Sequence, residues 1–81
     1  MKKKIVILGS TGSIGTTTYN IIKKNKKEFN VVLLTTNKNI NKILNQAKKL
    51  NVKNIVVSSR PHYLKLKQKK LNKNIKIHNS L

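Results

Sequence analysis

Ile5-Val6-Ile7-Leu8-Gly9-Ser10-Thr11-Gly12-Ser13-Ile14-Gly15 is the stretch whose reading decides the fold. Four consecutive apolar residues, three of them β-branched, read as a strand covered on both faces, as in a parallel sheet. The run breaks at a glycine-rich turn and continues as a helical pattern. Strand, glycine turn and helix in that order open a βαβ unit of the kind that takes a dinucleotide. Gly9 and Gly12, without a Cβ, let the backbone turn sharply and come close to a pyrophosphate. Gly15 allows the helix to pack tightly on the strand. Backbone N–H groups around Gly12 to Ile14 then point from the helix N-terminus at the phosphates, and Thr11 and Ser13 offer hydroxyl donors. The spacing is G-x-x-G-x-x-G, with Ser10 where the commoner fingerprint has a glycine.

Composition sets the outer limits. A chain of 81 residues is long enough for one small domain and no more, and 1–81 is expected to be the N-terminal part of a Rossmann-like domain. Such a domain buries about 60% of its unfolded surface and is only marginally stable. The absence of cysteine excludes disulfides and thiolate metal sites and suits a reducing compartment. Lys2 to Lys4 resemble the start of a signal peptide, but the apolar run after them is shorter than the roughly 7–15 residues such a segment needs. No stretch approaches the roughly 20 apolar residues of a membrane span. The expectation is a cytoplasmic protein with no membrane partner. The net charge is +18, with Glu28 as the single acidic residue. A basic balance of this size points to nucleic acid. Yet Lys, Asn and Ile dominate together, as an AT-rich coding sequence would produce, and the lysines are dispersed without interleaved aromatics to stack bases. Attraction to polyanions is therefore expected as a side effect of charge, with no specific nucleic-acid partner.

In chain order, Ile14, Thr18, Ile21 and Ile22 mark one face of a first helix running to about Asn25. Val31 to Leu34 form a second buried strand, with Phe29 packing at its entrance, and residues 35–39 form the loop beyond it. Ile40, Ile43, Leu44, Ala47 and Leu50 fall at helical spacing, and Ile55 to Val57 make a third strand. Ser59 caps a third helix with Pro61 in its first turn and Leu64 and Leu71 on its buried side. Ile75 and Ile77 alternate with lysines as an edge strand. The fold class is α/β: a partial Rossmann-like βαβαβαβ parallel sheet with flanking helices and right-handed crossovers.

No catalytic apparatus is visible. His62 and His78 lack a nearby carboxylate or metal-ligand spacing and read as solvated residues. Glu28 reads as a solvated charge, and Tyr19 and Tyr63 have no serine and lysine arrangement around them. Tyr63 and Lys67 do have the four-residue spacing of a short-chain dehydrogenase pair, but on a peripheral helix far too early in the chain. Paired carboxylates and a nucleophile–base pair are both lacking.

Gly9 to Gly15, Asn25, the segment Glu28-Phe29-Asn30-Val31-Val32 and Lys38-Asn39 together resemble the N-terminus of one family. It is 1-deoxy-D-xylulose 5-phosphate reductoisomerase, an enzyme of isoprenoid precursor synthesis that depends on NADPH and a divalent metal (Mg or Mn). The resemblance covers essentially the whole chain but only the first part of the family's NADPH-binding domain. It implies that Thr11, Gly12, Ser13 and Ile14 line the pyrophosphate and nicotinamide side. It also implies that Asn37, Lys38 and Asn39 meet the adenosine 2′-phosphate and ribose. The family usually has glycine where this chain has Asn37; asparagine tolerates left-handed angles, so a backbone contact there can survive, while its side chain can also crowd the ribose. Further implications are a phosphosugar substrate and a homodimer at full length. The family's acidic metal ligands, substrate-phosphate site and mobile loop lie downstream of Leu81, so the chain is expected to be a fragment, a truncation or a decayed product. No catalytic or metal-binding role falls on its residues.

Two other readings stand beside this one. The first is a fragment of another NADP-dependent dehydrogenase, of extended short-chain or semialdehyde type. The second is a small basic nucleic-acid-binding module. The dispersed charge predicts that any DNA binding is weak and independent of sequence, and falls steeply with salt. Titration of two unrelated duplexes at low and high salt measures this, and a preference for one duplex that survives high salt contradicts it.

Overall fold

Strand and helix alternate through the computed structural model, which describes residues 2–68 and 74–81. The elements are β1 (Lys3–Ile7), α1 (Ser13–Lys24), β2 (Phe29–Thr36), α2 (Ile40–Leu50), β3 (Asn54–Val57), α3 (Arg60–Gln68) and β4 (Lys76–His78). The strands pair in parallel in the order β1-β2-β3-β4. This is the α/β arrangement the sequence implies, with small shifts of boundary. Thr35 and Thr36 belong to β2 rather than to the loop after it. Leu71 lies outside the described residues.

Crossovers of one hand that step in one direction across a parallel sheet put every helix on the same side. The core follows from that. Ile7, Val31, Leu34, Ile55 and Val57 from the strands meet Tyr19, Ile22, Ile40, Ile43, Ala47 and Leu66 from the helices in one cluster. Here the structure corrects three expectations. The apolar run of β1 is covered on one face only. Ile7 is buried, whereas Val6 on the opposite face and Leu8 beyond the strand are exposed, because none of the described helices lies over that face. The buried face of α1 is Gly15, Tyr19 and Ile22, while Ile14 and Ile21 are exposed. A helix turns about 100° per residue, so once Gly15 faces the strand, positions 19 and 22 face it too and positions 14 and 21 lie on the flank. In α3 the residues turned to the core are Leu66 and Tyr63, and Leu64, two positions before Leu66, is exposed on the other side.

The register between β1 and β2 contains one irregularity. Ile5 pairs with Val31 and Val6 with Leu33, so Val32 is an extra residue in β2, a bulge. As a result Val32 and Leu33 both line a hollow on the helix-free face together with Val56, and the buried alternation resumes at Leu34 and Thr36. α2 is the best-terminated helix. Asn39 caps its start by accepting from the Lys42 N–H at 3.3 Å, and Asn51 closes it in the left-handed conformation at φ 56°. At the end of α1, the charge of Lys49, with burial, a side-chain hydrogen bond to Lys49 and the charge of Lys26 adding to it, holds the ammonium of Lys23 below its ordinary pKa. Such crowding of like charge is what a +18 chain must accommodate.

Leu34 has no exposed surface, and its truncation to alanine should cost about 2–5 kcal/mol. Val6→Thr, on the bare face, should stay within about 0.5 kcal/mol. Thermal unfolding followed by circular dichroism compares the two; equal losses would mean that the sheet is covered on both sides.

Candidate functional site

The glycine turn is fastened to the end of β2. Gly9 adopts φ +62°, a left-handed angle that suits glycine, and its N–H donates to Thr35 Oγ1 at 2.8 Å. Ser10 is fully buried; its backbone N–H donates to the Thr35 carbonyl at 2.8 Å and its hydroxyl to the same oxygen at 3.3 Å. The turn closes through Gly12 N–H to the Gly9 carbonyl at 3.0 Å. A Cβ built on Gly15 would stand 2.0 Å from the Gly9 carbonyl oxygen, so the close packing expected of this glycine is against the backbone of the turn itself.

α1 begins directly at that turn. Gly12 occupies its N-cap with no side-chain cap, and the first helical bond is donated by Thr16 to the Gly12 carbonyl. The N–H groups of Ser13, Ile14 and Gly15 thus have no acceptor within the helix. Ser13 is exposed, and Ile14 presents an 83% exposed apolar side chain at the same rim. A Cβ at Gly12 would meet only the Gly9 carbonyl, at an ordinary 3.5 Å. The fold therefore has room for a side chain at Gly12, and the bareness there leaves a concave, donor-rich edge suited to an anion.

Asn37, Lys38 and Asn39 follow β2 and are all exposed beside this turn. The two loops are bound together. Thr11 Oγ1 and Thr36 Oγ1 are 2.6 Å apart, which engages the Thr11 hydroxyl that the sequence offers as a free donor. From α2, Lys42 Nζ donates to the Thr11 carbonyl at 3.1 Å, and the buried Gln46 donates from Nε2 to the Ser10 carbonyl at 2.8 Å. Asn37 is turned toward the end of β3. Its carbonyl accepts from Ser59 N–H at 3.0 Å and its side-chain oxygen from the Ser58 hydroxyl at 3.0 Å. It does not use left-handed angles, since Asn51 alone among the described non-glycine residues has positive φ. A hollow of about 420 Å³ opens at the carboxyl ends of the strands, between Gly9, Thr35, Thr36, Asn37, Val56 and Ser58 and the end of the chain at 79–81; of the residues expected to meet the cofactor, Asn37 alone lines it. That is where ligands of open parallel sheets sit.

The sequence reading passes over Lys42 and Gln46. The signal for Gln46 was its position between Ile43 and Ala47 on the apolar side of α2, where a polar residue needs a partner. Its Oε1 and the Thr16 hydroxyl are buried without a hydrogen-bond partner among the described residues. His62 is half-buried rather than solvated. Its Nδ1 lies 2.7 Å from the Ser59 hydroxyl, while the Ser59 carbonyl accepts from Tyr63 N–H, a cap at the start of α3. His78 pairs across the sheet with Asn54 at 3.1 Å. Lys67 lies over the Tyr63 ring at 6.0 Å from its centre, a cation–π contact between positions four apart on α3. Burial raises the Tyr19 phenol above its ordinary pKa. Among the described residues no group of three His, Cys, Asp or Glu could hold a metal ion, and no helix is long and apolar enough to cross a membrane.

Residues 5–80 match the family model of 1-deoxy-D-xylulose 5-phosphate reductoisomerase. The chain belongs to this family. A reductoisomerase of Pelagibacter ubique is 44% identical over 78 residues, 96% of this chain and 20% of that protein. One from Porphyromonas gingivalis is 46% identical over 63 residues, 78% of this chain and 16% of that protein. The reductoisomerase of Zymomonas mobilis, solved in complex with NADPH, superposes with a TM-score of 0.88 at 29% identity, over 96% of this chain and 21% of that one. The chain thus spans about a fifth of the length of these reductoisomerases.

The two glycines should separate in a melting experiment. Gly15→Ala forces a methyl group into the Gly9 carbonyl and should cost at least the roughly 1–3 kcal/mol of an overpacked core. Gly12→Ala should cost no more than about 1 kcal/mol, the loss of a tolerated N-cap residue. Equal melting temperatures for the two variants would contradict the packing described for α1.

Proposed function

We propose that this chain forms the NADPH-binding portion of a reductoisomerase that rearranges and reduces 1-deoxy-D-xylulose 5-phosphate to 2-C-methyl-D-erythritol 4-phosphate. Membership of the family and the likeness to a member solved with NADPH support the reading. The observation that carries it is the uncapped start of α1, where the bare edge at Gly12 is one the fold does not itself require. In this reading Thr11, Gly12, Ser13 and Ile14 receive the pyrophosphate and the nicotinamide side. Backbone N–H groups meet the phosphates, and the exposed Ile14 gives the nicotinamide an apolar wall. Asn37, Lys38 and Asn39 take the 2′-phosphate and ribose. Bound NADPH supplies hydride for the reduction.

The choice of NADPH over NADH has a local cause. NAD sites place an acid about 20 positions beyond the glycine turn, where it binds the ribose 2′-hydroxyl. Here that count reaches Thr35, and neither Thr35 nor the four residues after it are acidic. A carboxylate would repel the 2′-phosphate; Lys38 attracts it. The divalent metal of the family, Mg or Mn, finds no fit in this chain, whose single carboxylate is Glu28 at the opposite end of β2. No catalytic step falls to these residues. A phosphosugar substrate, a homodimer of the full-length protein and a cytoplasmic setting complete the reading.

Titration of the chain with NADPH and NADH at moderate salt, where dispersed lysines are screened, tests it. A charge-assisted contact contributes roughly 1.5–3 kcal/mol, so NADPH should bind at least about tenfold more tightly. Lys38→Ala should remove most of that preference, and Gly12→Ala should weaken both cofactors while leaving the fold intact. Equal affinities in the unaltered chain would refute the proposal.

A further inference from the structure

The geometry points to Lys42 as a second cation of this site, acting with Lys38 on the 2′-phosphate; the inference rests on the NADPH reading above. Lys42 lies in the first turn of α2 and is only half-exposed, unusual for lysine. Its backbone N–H is held by Asn39 Oδ1 at 3.3 Å, and its side chain crosses from α2 to the glycine turn, where Nζ donates to the Thr11 carbonyl at 3.1 Å. One residue thereby touches both loops of the proposed site: Asn39 on the ribose side and Thr11 on the pyrophosphate side.

Holding the carbonyl does not itself require a charge. One helical turn further on, Gln46 performs the same service for the Ser10 carbonyl with a neutral amide at 2.8 Å. At position 42 the chain carries an ammonium with three donors, of which the Thr11 carbonyl takes one. The other two belong to a residue that follows Lys38 by four positions and whose backbone N–H is held by Asn39, and the single carboxylate of the chain, Glu28, is at the other end of β2. An anion with several acceptor oxygens is the ligand that such an arrangement suits. The tether also fixes the side chain in advance, so less rotamer freedom is lost on binding than for the exposed Lys38.

The test uses the 81-residue chain at about 0.15 M salt, where the Debye length is about 8 Å. Dissociation constants for NADPH and NADH are measured for the unaltered chain, Lys42→Met, Lys42→Gln, Lys42→Arg and Lys38→Ala. Lys65→Met, on α3, controls for the general loss of one positive charge. Circular dichroism verifies folding of each variant. Both neutral variants should weaken NADPH by about tenfold and NADH by less than about twofold. Lys42→Arg should keep the preference, and Lys65→Met should leave it unchanged. If NADPH and NADH weaken equally, or neither changes, Lys42 only braces the turn and the inference is overturned. A preference lost in Lys38→Ala but intact in both neutral Lys42 variants overturns this inference alone. An unaltered chain with no preference at all overturns the NADPH reading and this inference with it.

Discussion

The approach of Gly15 to the carbonyl of Gly9 is the constraint on which the rest of the site depends. A methyl group there would stand 2.0 Å from an oxygen, so the first turn of α1 lies directly on the backbone that precedes it. That contact fixes the roll of the helix. With the roll fixed, Tyr19 and Ile22 enter the core, and Ile14 is left in water at the rim. The axis is fixed as well, so the N–H groups of the first turn all point the same way, out of the end of the sheet. Helix-terminus attraction for an anion is worth little unless it is aimed, and here the aim is set by one missing side chain.

Around that contact the polar groups form a brace. Thr35 holds Gly9 and Ser10 from one side, and Gln46 and Lys42 hold the carbonyls of Ser10 and Thr11 from another. The turn is consequently ordered by β2 and α2 as much as by β1 and α1. This places the shape of the turn in the hands of residues far away in sequence. It also explains why the β2–α2 loop and the glycine turn behave as one surface: Thr11 and Thr36 share a hydroxyl contact at their junction.

Much of the architecture was legible in the chain because the signals were local. Glycine spacing after an apolar run, helical spacing from Ile40 to Leu50 and the cap at Ser59 each specify structure within a few residues. What was not legible depended on orientation. Ile14 and Ile21 are as apolar as Ile22, and nothing local reveals that Gly15 chooses the face. Leu64 and Leu66 are likewise interchangeable until α3 is set against β3 and β4. The strand Ile5–Leu8 reads as covered on both sides because composition records what a residue can bury and not which neighbour covers it. For the proposed cofactor site, motif and resemblance single out Thr11–Ile14 and Asn37–Asn39. The hold of Lys42 and Gln46 on the glycine turn was not legible, because their partners are 31 and 36 positions away.

The extra residue at Val32 has a reach that its apolar surroundings conceal. A strand repeats every two residues, so an extra residue taken up by a bulge moves the odd–even alternation by one for everything that follows. Before the bulge the core side is the side of Val31; after it, Leu34 and Thr36 take over that side while Thr35 faces away. Only in this phase does the Thr35 hydroxyl meet the amide of Gly9 while the Thr36 hydroxyl meets Thr11. Were the same residues to run through β2 in unbroken alternation, with no bulge at Val32, Thr35 and Thr36 would exchange faces and the polar edge several residues away would be dismantled, with every residue of that edge still present. The strand acts as a counter, and the bulge is the one place where the count is reset.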